Sequence, residues 1–596
     1  MSANLLRPIK SIEQIFRKPH TIRFPEEKKE ISPRYRGFHI TEWEKCIGCG
    51  NCRDICPVNA INMEVIPRLK GKVEIGENPE RPAIDYGRCC FCGLCVDICP
   101  TSAMSLSQDF IMVEPELNDF YFISDEKRID KKSWVANEEE SLVDFKRKKM
   151  PVLSPAKRVK SFEEMVLGFP ENIAIAEANR CLECGECVDA CPAHMDIPEY
   201  IRAISKGDNK ESVRIMYRTN PFLMTCGRIC THNCETACAV EKRGEPVAIR
   251  WLKRYAADNV DIKDYPDYKV EKIYKKPKVA IIGAGPAGLS AAFYLSINGI
   301  IPTIYERHSK AGGMLRYGVP PYRLSDKELD KDINYILSYG AKIKYNTVVG
   351  EDIKIEWLLK HFDVVYIAIG LQAARWLRFP NYRHKNIYSA VDFLEKVNTG
   401  KKIKIGKEVL VIGGGNVAMD VARSAVRLQH MEYGKSNVKI LSLEAMDELP
   451  ALEEEVEEAI EEKVKFIPRR SVIEPILEGK KLIGVKTVKV TSVFDEKGRF
   501  APKLDKSDVK EYKCDMIIQA IGQMCPFHCL EDIKDKIKMT PQRKVEVKDS
   551  YETSVKHLYA GGDIVNTRMD AVSAIATGRD FAFSIVKKYL KREPVR

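Results

Sequence analysis

The sequence has no run of 18 consecutive apolar residues; the nearest, Val279 to Leu295, is broken by glycines and reads as a strand, a turn and a helix. A bilayer-spanning helix is therefore not expected. The N-terminus also lacks the continuous apolar stretch of a secretory signal, so the expected location is the cytoplasm. Outside four tight groups before residue 240, only Cys514, Cys525 and Cys529 remain of the 20 cysteines. A secreted disulfide framework does not bunch its cysteines in this way. No Ser-His-Asp or metalloprotease spacing stands out. No basic stripe with interleaved aromatics appears either, which argues against nucleic acid as a partner despite a formal charge of +11.

What is present is one cysteine spelling used three times. Cys-x-x-Cys-x-x-Cys-x-x-x-Cys-Pro runs from Cys46 to Cys56, from Cys89 to Cys99 and from Cys181 to Cys191. It places three thiolates on one loop and turns the fourth towards a different iron–sulfur cluster. Zinc sites more often show two separated Cys-x-x-Cys pairs. The chain is therefore expected to move single electrons. Each bound cluster is a net anion, so the formal charge overstates how basic the loaded protein is. By the two-cluster rule, Cys46, Cys49 and Cys52 take Cys99, while Cys89, Cys92 and Cys95 take Cys56. Cys90 is spare and is expected as a buried neighbour.

At 596 residues about three to five domains are expected. The expected fold is multidomain: an α+β two-cluster ferredoxin domain, an α-helical iron–sulfur domain, and α/β Rossmann-like flavoprotein domains. The ferredoxin domain takes residues 1–125 and includes a basic N-terminal segment. There Leu5, Leu6, Ile9, Ile12, Ile15 and Phe16 recur at helical spacing, to lie on a membrane surface, in a partner's groove or on the domain itself. Residues 126–160 read as a linker, and 161–272 as the helical iron–sulfur domain, with a further set at Cys226, Cys230, Cys234 and Cys238. Next come a FAD-binding part at 273–400, a NAD(P)-binding domain at 401–515 and a second FAD-binding part at 516–596.

The nucleotide sites rest on two glycine fingerprints. Val279–Ile282 leads into Gly283, Gly285 and Gly288, then a helical pattern, then a strand ending at Glu306. These glycines permit a tight turn, backbone approach to a pyrophosphate and close helix–strand packing, while the acid can accept from a ribose hydroxyl. Val409–Ile412 opens a second copy with Gly413, Gly415, Asn416 and Ala418. The acidic run Glu453–Glu462 reads as a solvated helix face, and Cys525 and Cys529 as plain buried thiols.

Resemblances to known families extend these readings. Residues 41–125, with flanks from Leu6 through "TIRFPEE" and at "PRYRG" (Pro33–Gly37), resemble the two-cluster ferredoxin-like subunit of complex I and related membrane hydrogenases. The likeness implies a relay near a membrane surface. "SPAKRVKSFEEMVLGF", "ANRCLECGECVDACP" and "CGRICTHNCETAC" resemble the N-terminal domain of the glutamate synthase small-subunit family, shared with dihydropyrimidine dehydrogenase. That resemblance implies one cluster on Cys181, Cys184, Cys187 and Cys238. It implies another on Cys191, Cys230 and Cys234 with a non-cysteine fourth ligand. The fourth position falls at Lys253, whose ammonium cannot coordinate iron. Cys226 or His232 are the substitutes, and the chain carries three or four [4Fe-4S] clusters.

The paired fingerprints, "GGMLRYGVPPYRL" with Gly312 and Gly313, and "HLYAGGD" with Asp563 resemble the two-dinucleotide flavoprotein reductases. The likeness implies FAD on the first unit, with Asp563 at its ribityl chain or phosphate, and NAD(P) on the second. In NADPH-using small subunits an Arg-Arg pair meets the 2′-phosphate; here those positions hold Leu443 and Glu444. A carboxylate repels a phosphate and accepts from a free hydroxyl, so NADH is expected over NADPH. Three roles follow. The first is an NADH oxidoreductase feeding a ferredoxin or a complex I-like or hydrogenase-like membrane assembly, peripheral at the inner membrane face. The second is a glutamate synthase small subunit serving a separate large subunit, and the third a non-enzymatic wiring subunit.

Overall fold

The structure is a computed structural model that describes residues 21–23, 26, 27, 30–69, 78–110, 112, 116, 120–123, 132–134 and 144–596. The apolar helical spacing between Leu5 and Phe16 lies outside the described residues. The chain divides into two units, residues 1–145 and 146–596.

In the first unit β1 (His39–Thr41) precedes the first cysteine run, α1 (Asn51–Asp54) and β2 (Ile61–Val65). The arrangement repeats with β3 (Glu80–Asp85), the second run, α2 (Leu94–Asp97) and β4 (Met104–Ser107). With β5 (Tyr121–Ile123) and β6 (Lys132–Trp134), the strands form two antiparallel sheets, β2-β3-β5 and β1-β4-β6. Ile61, Ile84, Val96, Met104 and Leu106 form the core between the cysteine loops. Gly50 and Gly93 precede α1 and α2 at φ of 80° and 83°, a left-handed turn that glycine adopts at no steric cost.

The second unit begins earlier than the expected linker allows. Residues 146–160 are not a spacer: Val152 bridges Val166, and α3 (Pro155–Arg158) ends on Arg158, 2% exposed and paired with Glu462 at 2.9 Å. A helical segment follows, with α4 (Glu171–Ala178), α5 (Glu186–Ala190), α6 (Ile197–Ser205), α7 (Asn209–Tyr217), α8 (Leu223–Ile229), α9 (Asn233–Thr236) and α10 (Ile249–Asp258). Helices α8 and α10 cross so closely at Gly227 that a Cβ there would stand 2.8 Å from Arg254 Cα.

Two parallel sheets complete the unit. The first comprises β7 (Val279–Ile282), β8 (Thr303–Tyr305), β9 (Lys342–Lys344) and β10 (Val364–Ile367), with β21 (Leu558–Ala560) returning from the C-terminal part. The helix after its glycine loop is α11 (Pro286–Ile297), with proline at its first position, where no N–H is needed. The antiparallel pair β11 (Ala373–Ala374) and β20 (Gln523–Met524) carries the chain out and back. The second sheet is ordered β12-β19-β13-β14-β15: Ile387–Ser389, Met516–Gln519, Val409–Ile412, Val438–Leu441 and Lys465–Ile467. Its helices are α12 (Asn416–Tyr433) and α13 (Glu453–Glu461), and β16 (Arg470–Glu478), β17 (Lys481–Phe494) and β18 (Phe500–Lys513) form an antiparallel sheet. Helix α14 (Ala571–Leu590) closes the unit.

The expected borders at 400 and 516 therefore shift. Strand β12, expected in the FAD-binding part, pairs with β19, and β19 pairs with β13. Both belong to the second sheet, whose chain crossings lie at β11 and β20.

Candidate functional site

Three cavities in the described structure are each lined by cysteines from two chain segments, four in two of them and five in the other. Cys46, Cys49, Cys52 and Cys99 surround one, with Ile47, Met63 and Met104. Cys56, Cys89, Cys92 and Cys95 surround the second, with His39, Val58 and Ile61. Cys181, Cys184, Cys187 and Cys238 surround the third, with Ile197, Val240 and Ile249. Burial pushes the Cys89 and Cys184 thiols up to about 11 and Cys181 to about 12. A cation that binds them must displace their protons, as soft metal centres do. Four thiols around an apolar hollow fit a [4Fe-4S] cluster. Cys90, expected to be buried, lines the second cavity but is exposed, so it keeps access to solvent at the cavity's rim. Burial lowers the His39 pKa to about 4.

The remaining helical-domain thiols form a different environment. Cys191 caps the end of α5, Cys230 the end of α8, and Cys234 lies on α9; all three are buried. Lys253, only 4% exposed on α10, sits within electrostatic reach of Cys230, Cys226, Cys191 and Cys234. Burial opposes its charge, but the four sulfurs outweigh burial and hold the ammonium above the ordinary lysine range. His232 turns to carboxylates instead, with Nε2 3.3 Å from Glu454 and Nδ1 3.8 Å from Glu235. Cys226 stays buried, its thiol pushed up to about 12.

The first dinucleotide unit is tightly built. Glu306, 3% exposed, accepts the Ala284 N–H at 2.8 Å and the His308 N–H at 2.9 Å. A Cβ at Gly283 would stand 2.6 Å from the Ala368 carbonyl, and one at Gly288 would collide with the Gly283 carbonyl. Gly313, at φ +53°, would bring a Cβ within 2.9 Å of Gly285 Cα, and the Gly312 N–H donates to the Ala284 carbonyl at 2.8 Å. The two loops thus interlock through bare backbone. Asp563, where the 3₁₀ turn Gly562–Ile564 begins, has a buried Oδ1 with no hydrogen-bond partner among the described residues. Burial pushes its carboxyl up to about 6, against the pull of Lys544, whose ammonium donates to the Asp563 carbonyl. A bare glycine cradle and an orphaned buried oxygen fit a dinucleotide carrying hydroxyl donors.

In the second unit a Cβ on Gly413 would strike the Ala520 carbonyl, whereas Gly415 faces open space. Glu444 follows β14, and its Oε2 lies 3.0 Å from where a Gly414 Cβ would stand, beside Leu449 and Pro450. The predicted acid therefore adjoins the glycine loop. Asn416 Oδ1 accepts the Leu452 N–H at 2.7 Å, fixing the start of α13 against that loop.

The acidic run on α13 is solvated on one side only: Glu453, Glu457 and Glu461 are exposed, while the other side is buried. Glu455 and Glu462 are 3% and 1% exposed. Glu462 pairs with Arg423 at 2.9 Å and Arg427 at 2.6 Å, and Glu455 with Arg323 at 2.5 Å. Glu454 takes both guanidinium nitrogens of Arg250 at 2.7 Å each. Helical spacing alone looks the same for a wet face and for one opposed by arginines, so nothing within the run itself carries this signal. A cavity of about 700 Å³ that no sequence motif announces adjoins β11 and β20 and is lined by Arg375, Arg378, Arg543, Lys544 and Met569. Its trace in the sequence is the basic "ARWLR" stretch after β11.

Comparison with known proteins agrees with this architecture. Residues 277–578 match the pyridine nucleotide-disulphide oxidoreductase family, 158–265 the dihydropyrimidine dehydrogenase domain II with a 4Fe-4S cluster, and 45–103 a 4Fe-4S dicluster domain. The NADPH-Fe(3+) oxidoreductase subunit beta of Geobacter sulfurreducens is 36% identical over 387 residues, 63% of this chain and 56% of that protein. The chain thus spans a little over half the length of that relative. AegA of Escherichia coli is 29% identical over 577 residues, 91% of this chain and 86% of that protein. The glutamate synthase [NADPH] small chain of Escherichia coli is 31% identical over 451 residues, 71% of this chain and 93% of that protein. The chain belongs to the pyridine nucleotide-disulphide oxidoreductase family, in its glutamate synthase small-chain-like form with 4Fe-4S domains.

Proposed function

We propose that this protein oxidises NADH, in preference to NADPH, and passes the electrons singly to a ferredoxin-like or membrane-complex acceptor. The reading is carried by one observation: two dinucleotide folds and three cysteine-lined cavities occur in the same chain. When bound, FAD supplies the change from paired to single electrons. The chain's own residues hold and orient. Gly283, Gly285, Gly288, Gly312 and Gly313 admit the FAD pyrophosphate, Glu306 accepts from its ribose, and Asp563 Oδ1 accepts from its ribityl chain. Gly413, Gly415, Asn416 and Ala418 receive the nicotinamide nucleotide, and Glu444 accepts from its adenosine ribose. The three cavities hold the clusters on the cysteines that line them. Cys191, Cys230 and Cys234, beside Lys253, offer three of the four ligands that a fourth cluster would need, so the chain carries three or four.

Glu444 supports the NADH preference because its carboxylate adjoins Gly414, where a 2′-phosphate would meet like charge. Two of the relatives are named for NADPH, which makes the nucleotide the sharpest point of departure. Anaerobic mixing with NADH should bleach the flavin absorbance within the turnover time and then reduce the clusters, read by electron paramagnetic resonance. Equal low NADPH should act at least tenfold more slowly. A flavin that NADH leaves oxidised would overturn the reading, and faster reduction by NADPH would overturn the preference. The glutamate synthase small-subunit role is favoured by 93% coverage of that small chain. Glutamine-dependent turnover of 2-oxoglutarate with a co-purifying large subunit would select it.

A further inference from the structure

The two cysteine runs of the first unit are repeats, with Cys46, Cys49, Cys52 and Cys56 answered by Cys89, Cys92, Cys95 and Cys99. The repeat extends to the cavity walls. Val58 and Ile61 line one cavity where Thr101 and Met104 line the other. Seven residues before each run stand His39 and Pro82. His39 lines the Cys56, Cys89, Cys92, Cys95 cavity, and Pro82 lines that of Cys46, Cys49, Cys52 and Cys99. Equivalent positions therefore present an imidazole to one cavity and a ring without a side-chain donor to the other.

The imidazole is fixed in place. Its Nε2 lies 3.3 Å from Cys95 Sγ, and its Nδ1 lies 3.2 Å from the Tyr86 hydroxyl. That hydroxyl oxygen also accepts the His39 backbone N–H at 2.8 Å, so one tyrosine holds both the backbone and the ring of His39. His39 stacks on Phe91 at 6.3 Å, and Phe91 stacks on Tyr86 at 5.7 Å. His39 and Cys95 are 2% and 6% exposed, so water does not compete. An iron-bound thiolate can only accept, so the proton between the two residues must sit on Nε2.

We infer that the Nε2–H of His39 donates to Cys95 Sγ and makes the Cys56, Cys89, Cys92, Cys95 cluster the more easily reduced of the pair. An N–H···S bond stabilises negative charge on the ligand, and that charge grows when the cluster gains an electron. The pair then has a built-in downhill step between clusters whose cysteine spelling is the same. This rests on the ligand sets proposed above.

The test is a potentiometric titration of the full chain, purified anaerobically and followed by electron paramagnetic resonance. His39→Phe should lower the midpoint of one cluster and leave the other and the iron content unchanged; His39→Gln, which keeps an N–H donor, should fall between. Both midpoints unmoved at full iron content would overturn the inference. If His39→Phe loses iron, pulsed resonance on wild-type protein labelled with ¹⁵N-histidine decides. A ¹⁵N coupling on one reduced cluster of this pair supports the bond, and no coupling on either overturns it. Full iron retention in Cys95→Ala, which offers no donor atom, would instead defeat the ligand sets.

Discussion

Helices α11 and α12 each follow a glycine loop, yet different forces hold them. On α11 every residue from Ala287 to Ile297 is buried, most of them apolar, and the helix packs on α14, where a Cβ at Gly578 would strike the Ala287 carbonyl. Helix α12 instead buries Arg423 and Arg427 completely. They meet Glu455, Glu458 and Glu462 of the α13 segment, and Arg427 lies 3.8 Å over the Tyr322 ring. Arg158 and Arg323 join the same network from outside the second sheet. An apolar contact loses stability in proportion to the area removed from water, whereas a buried ion network fails when one member leaves its partners uncompensated. The second lobe is therefore fastened by charge to segments that the first lobe and the helical domain supply.

The largest effect should come from breaking that charge. Glu462→Ala leaves Arg158, Arg423 and Arg427 short of a partner and should cost about 3–5 kcal/mol in urea denaturation. The arginines outweigh burial and hold Glu462 below the ordinary carboxylate value of 4.5. Its contribution is thus complete above that pH and lost on acidification through the lower, folded-state value. The variant should lack that acid limb; an unchanged acid profile would refute the account.

Next come the paired positions Gly288 and Ala418. Gly288→Ala drives a methyl into the Gly283 carbonyl and should cost about 3 kcal/mol with loss of FAD absorbance. Ala418→Gly, where the second loop already tolerates a Cβ, should cost about 1 kcal/mol. Equal costs would mean the two loops are built alike.

Asp563→Asn should be smaller. Its folded-state value is raised, so its contribution is full below its ordinary value of 3.8 and lost as pH rises through about 6. The cofactor-free variant should lose a slope on the order of 2 kcal/mol across that window, read from thermal melts. A retained slope would assign it elsewhere.

Small as well is the exchange of nucleotide. Glu444→Arg should raise the NADPH-to-NADH ratio of kcat/KM about tenfold, or about 1.4 kcal/mol. Glu306→Gln should leave that ratio alone and weaken FAD retention, because Glu306 belongs to the tightly built first unit. A ratio unmoved by Glu444→Arg would show that its carboxylate does not meet the ribose.

Local spelling carried much of the molecule. Iron ligation and pyrophosphate approach depend on a few residues at short spacing, so the cysteine runs, the glycine fingerprints and the acid at Glu306 stand out in the chain itself, whereas Glu444 came only from the resemblance. The structure brings the cysteines of both ferredoxin runs to two cavities with exchanged fourth members, in line with the spacing rule. What spacing cannot express is which distant segment comes opposite. Strand β12 lies in the second sheet because its partner is β19, far along the chain. Glu455 and Glu462 are buried because arginines from three other segments face them. Cys90 is exposed although it stands next to Cys89. Lys253 stands among sulfurs only because α8 and α10 cross at Gly227. Chemistry encoded within a turn is written in the chain itself, whereas burial and charge pairing are properties of surfaces that form only when the elements meet.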